Sequence, residues 1–81
     1  MNTATAWETR RSLFLTEAEE VRSKKYQEGR ETNIIASLAL IYQLITAEDV
    51  EFLKRFIAIG FPVSAVRKML VNLATTRVAQ N

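Results

Sequence analysis

Apolar residues along this chain recur every three or four positions and nowhere alternate singly with polar ones. That pattern predicts helices and no strands. Residues 34–45 stand apart, because ten of these twelve positions are apolar. A helix that is apolar on every side has to be covered on every side, and a run of twelve residues is too short to cross a bilayer. It therefore predicts a central core helix, in a chain of 81 residues that has little other material to surround it. The uncovered remainder argues for a second copy or another protein.

Four helices are expected. The first starts at Thr5, where Thr5, Ala6, Trp7 and Glu8 match a capping box, and runs to about Gln27. Trp7, Phe14 and Val21 form its heptad-like stripe, with Arg11, Ala18 and Lys25 at the interleaved positions. The charges from Glu17 to Lys25 read as a solvated face. Gly29 either ends this helix or sits inside a longer one. The second helix, about 31–45, is the apolar run. The third is capped by Thr46, with Glu48 and Asp49 against its positive end, and continues through Val50, Leu53, Phe56 and Ile57 to Ile59. Gly60 suits the left-handed residue that closes a helix, and Pro62 the first position of the next. The fourth helix, about 62–76, should bury Val63, Val66, Leu70 and Leu73. The tail at 78–81 is expected to fray. Fold class is thus all-α: a compact bundle of about four helices in one domain, 1–81, with residues 1–45 serving oligomerisation and 46–76 forming a helical hairpin.

Composition narrows the chemistry. The chain has no cysteine and no histidine, which excludes a thiol nucleophile and a disulfide and removes most zinc sites and the usual general base. No catalytic constellation, metal site or cofactor is expected. Residues 1–7 have neither a basic flank nor an apolar stretch, so no secretory leader is read and a cytoplasmic location is the default. Net charge is only +2, but its placement is uneven. Residues 1–45 hold six cations and six acids, whereas from Phe52 onward there are five cations (Lys54, Arg55, Arg67, Lys68, Arg77) and no acid. Such an asymmetry favours a polyanion.

One stretch carries a resemblance. Residues 50–70 form a helix, a turn around Gly60 and a second helix. Within them Gly60, Phe61, Pro62 and Val66 resemble the turn and recognition helix of small bacterial repressors, and also the helical hairpin of MerR-type regulators. The resemblance implies a helix-turn-helix that places Val63, Ser64, Arg67 and Lys68 in the major groove, with Lys54 and Arg55 on phosphates. The chain departs from that pattern at Phe56, where such motifs carry a small residue four before the glycine. The residues from Tyr26 to Glu31, followed by an apolar helix and by Ala58, Ile59, Gly60 and Phe61, also resemble the helical tail of transposase-related nucleases. That likeness implies a regulatory or oligomerising piece without an active site.

These readings converge on a small non-enzymatic DNA-binding or regulatory protein working as a homodimer, with no membrane partner. The shared surface is expected at Trp7, Phe14, Val21, Leu40, Ile41 and Leu44. The alternative is a helical adaptor or inhibitor that binds a partner protein without touching nucleic acid.

Overall fold

The heptad stripe of the first helix closes against the chain's own second helix. In this computed structural model, which describes residues 3–77 and their side chains from Ala6 onward, α1 spans Thr3–Ser23 and α2 spans Glu28–Ile41. The tail at 78–81 lies outside the described residues, as does the side chain of Thr5; the backbone at Thr5 is already inside α1. Trp7, Phe14 and Ala18 project into the core, and Val21 packs at its edge. Arg11, a charged interruption of the stripe, lies over the Trp7 ring at 5.4 Å, where the π-face accepts its cation. Trp7 and Phe14 therefore belong to the interior of one chain, not to a surface shared between copies. The same correction applies to Leu44, which is buried.

Three reversals join the helices, and each uses a left-handed residue: Lys25 (φ 56°), Gln43 (φ 58°) and Gly60 (φ 106°). At the end of α2 the Leu44 amide donates to the Ala39 carbonyl and the Gln43 amide to that of Leu40, both at 2.9 Å. This is a Schellman closure. The apolar run does not stay helical to residue 45 as its composition suggests; the helix stops at Ile41, and Leu44 and Ile45 turn back into the core. Gly29 falls in the first turn of α2, and α1 has already ended at Ser23.

Helix α3, Ala47–Ala58, begins as its sequence indicates. The Thr46 hydroxyl accepts from the Asp49 amide at 3.2 Å, and the Asp49 carboxylate accepts from the Thr46 amide at 2.8 Å. Its C-terminus is a second Schellman closure: Phe61 N–H donates to Phe56 O at 2.9 Å and Gly60 N–H to Ile57 O at 3.1 Å. Helix α4, Val63–Thr76, follows with Pro62 as its cap residue. It buries Val66 and Leu70 as expected and adds Ala74, while Val63 and Leu73 are only half-buried, so the inward stripe keeps its centre and shifts slightly toward Ala74.

α1 packs on α2, α2 on α4 and α4 on α3, which makes an all-α bundle with α2 and α4 as the inner pair. Phe14, Ile35, Val66 and Leu70 form its fully shielded centre. The Cα trace measures 41 × 26 × 16 Å. A helix with its side chains is about 10 Å across, so a slab this thin cannot wrap any helix completely. Among the described residues no helix is long and apolar enough to cross a membrane.

Candidate functional site

Folding redistributes the charges that the sequence sets apart. Arg67, half-buried on α4, places Nη1 2.9 Å from a Glu31 carboxylate oxygen on α2, and only 8% of that glutamate side chain is exposed. Arg77 pairs with Asp49 across the α3–α4 hairpin through both terminal guanidinium nitrogens, the longer contact being 3.3 Å. The Arg77 hydrogen bond is the main cause of an Asp49 carboxyl held below its usual range, and the Thr46 bonds add to it. Lys54 approaches Glu51 at 3.5 Å on the surface. Of the five cations in the acid-free segment, Arg55 and Lys68 alone have no ion-pair partner among the described residues.

The six positions expected on nucleic acid do not form one surface. Arg67 is locked to Glu31, and Val63 and Ser64 are half-buried at the start of α4. Lys54 borders the α2 side of α3, with Thr32 and Asn33. Arg55, the next residue, lines a different surface together with Phe52, Leu73 and Arg77. Lys68 points to solvent.

Two other surfaces emerge. The first is an aromatic ridge on α3 and the turn after it. Phe52 meets Phe56 edge to face at 5.0 Å, and Phe56 meets Phe61 at 4.9 Å. Phe52 is 52% exposed, and Ile59, the residue after α3's last turn, is 71% exposed. α3 has apolar residues on two sides, because Val50 and Leu53 face the core while Phe52 does not. Phe56 takes part in both. That surplus is legible in the sequence as apolar positions off the inward stripe; the contact between Phe56 and Phe61 is the apolar clasp of the Schellman closure. Along the ridge's flank Glu48, Phe52 and Arg55 line an open groove together with Leu73 and Arg77.

The second surface is a shallow cleft of about 340 Å³ where the end of α1 meets α4, lined by Arg22, Arg67, Lys68, Asn72 and Thr75. In the sequence Arg22 belongs to a solvated charged face, and Asn72 and Thr75 carry no signal of a site. Only the packing of α1 and α4 around α2 brings them near Arg67. No group of three acidic side chains that could hold a metal ion exists among the described residues. Of the residues expected at a shared surface, Leu40 and Ile41 are exposed at the end of α2 and Val21 is half-buried.

Comparison of the chain with protein-family models, with curated proteins and with solved structures gives no significant match, so the functional reading rests on these two surfaces.

Proposed function

We propose that this chain is a non-enzymatic helical interaction protein that works as a homodimer, paired through the α3 ridge. The observation that carries the reading is the edge-to-face cluster of exposed Phe52 and Phe61 on half-buried Phe56, with Ile59 exposed in the same stretch of chain. Contiguous aromatic surface of this kind costs free energy in water and is typical of the centre of protein interfaces.

The charges flanking the ridge favour a second copy as its occupant. Glu48, Phe52 and Arg55 lie on one stripe of α3, at spacings of four and three. If two copies of α3 pair antiparallel about a two-fold axis near Phe52, Glu48 meets Arg55 of the partner subunit, and the reverse contact follows by symmetry. A Phe52→Ala variant should fold, because the side chain is half in solvent, and should be monomeric in analytical ultracentrifugation. Glu48→Arg and Arg55→Glu should each weaken the dimer, and together they should restore it. A folded wild type that stays monomeric at micromolar concentration overturns the reading. An Ile41→Glu variant that monomerises while Phe52→Ala does not would move the interface to α2.

Nucleic-acid recognition by α4 is the second reading. What favours it is the polar stripe Lys68, Asn72 and Thr76, spaced by four along the exposed face of that helix. Its test is a gel shift on duplex DNA at two salt concentrations, in which loss of Lys68 should weaken binding to every sequence and reduce the salt slope by about one unit.

A further inference from the structure

We infer that the cleft between α1 and α4 is a binding site for a phosphate oxyanion. Three cations from two helices border it: Arg22 from α1, and Arg67 and Lys68 from α4, with the amide of Asn72 beside them as a neutral donor. A planar guanidinium offers five N–H groups in a fixed fork that matches phosphate oxygens. Arg67 has one of its terminal nitrogens on Glu31, which leaves further donors for the cleft while fixing the direction of the fork. Glu31 is nearly buried and belongs to α2, so it acts as a positioning residue that holds Arg67 at the cleft wall. Lys68 is exposed and has no ion-pair partner among the described residues, and Arg22 is held only by a 3.7 Å surface contact to Glu19. Such surface pairs contribute little, so both cations can turn to an incoming anion at small cost. The inference does not depend on self-association, since the cleft and the α3 ridge are lined by different residues.

A phosphate group can come from a small phosphorylated molecule or from a nucleic-acid backbone, and the two sources are separable. The experiment is a titration of the ¹⁵N-labelled protein with inorganic pyrophosphate in one arm and a short DNA duplex in the other, followed by amide chemical shifts. Pyrophosphate should move the signals of Arg22, Arg67, Lys68 and Asn72 in a saturable way. Arg22→Ala and Lys68→Ala should each weaken binding about two- to fivefold, in line with single exposed charge contacts. Lys54→Ala, a cation away from the cleft, should leave it unchanged. Glu31→Gln should weaken binding although it makes the protein more positive, because Arg67 loses its anchor; tighter binding in that variant overturns the positioning role. Saturable shifts at the cleft with the duplex and weaker ones with pyrophosphate identify the backbone as the source, and the converse identifies a small phosphorylated ligand. Shifts in neither arm, or shifts spread over Lys24, Lys54 and Arg55 as much as over the cleft, overturn the site.

Discussion

Single residues at the three reversals decide where the helices stop. Gly60 is the one glycine among the three left-handed residues, and its φ of 106° lies beyond the range other residues accept readily. Gly60→Ala should therefore cost about 1–3 kcal/mol even though nothing crowds the added methyl. Gly29 is the opposite case. It is helical, a Cβ there would meet nothing within 4 Å, and Gly29→Ala should stabilise by about 0.4–1 kcal/mol. Gln43 occupies a glycine position without being one, so Gln43→Gly should be neutral or stabilising by about 0.5 kcal/mol. Urea unfolding of the three variants checks the order. If Gly29→Ala proved the most damaging, the assignment of the turns would be wrong. Reading glycine as punctuation succeeds at Gly60 and misleads at Gly29 for one reason: what a turn requires is a backbone conformation, and Lys25 and Gln43 supply it as well.

Ion pairs tie the helices to one another at the next scale. The pair between Glu31 and Arg67 joins the two inner helices, and both groups are mostly out of water. Arg67→Ala leaves a buried carboxylate without its partner and should cost about 3 kcal/mol, whereas Glu31→Leu with Arg67→Met should recover most of that loss. The same urea titrations measure both, and an unchanged midpoint for Arg67→Ala would mean that solvent already screens the pair. At the open end of the hairpin, Asp49 has two tasks, closing the cap with Thr46 and holding Arg77. Its carboxyl is held below the usual value of 3.8, chiefly by Arg77. A depressed folded-state value means that the stabilisation is present above the unfolded value and is lost as pH falls through the folded one. Stability should therefore decline from about pH 4 downward as this carboxyl takes a proton. Asp49→Asn should be less stable at neutral pH and show a shallower acid limb in denaturation followed by circular dichroism. An acid limb as steep as the wild type's would mean that other carboxyls dominate.

At the scale of the molecule, thickness is the controlling quantity. A domain of this length buries only about 60% of the surface its unfolded chain exposes, and a fold whose Cα trace is only 16 Å thick leaves apolar faces on its outer helices. The proposed pairing through α3 would cover the aromatic one, and it would couple folding to concentration. The melting temperature of the wild type should rise with protein concentration, while that of Phe52→Ala should not. A concentration-independent wild-type melt would speak against a dimer that contributes to stability.

The sequence by itself determined the helical class, the Thr46 cap, the Gly60 closure and the α1 stripe. Each of these depends on residues within a turn or two of one another, where periodicity and hydrogen-bond geometry act directly. The structure decided three things the sequence left open. It ends α2 at Ile41, because Leu44 and Ile45 gain more by folding back into the core than by extending a helix with an uncovered face. It turns the α1 stripe inward, so Trp7 and Phe14 join Ile35 in the core of one chain. It also brings Glu31 to Arg67 and Asp49 to Arg77, which dissolves a charge asymmetry visible only along the chain. Ion pairing and burial are set by distance in space, and for residues far apart in sequence only the packed helices fix that distance.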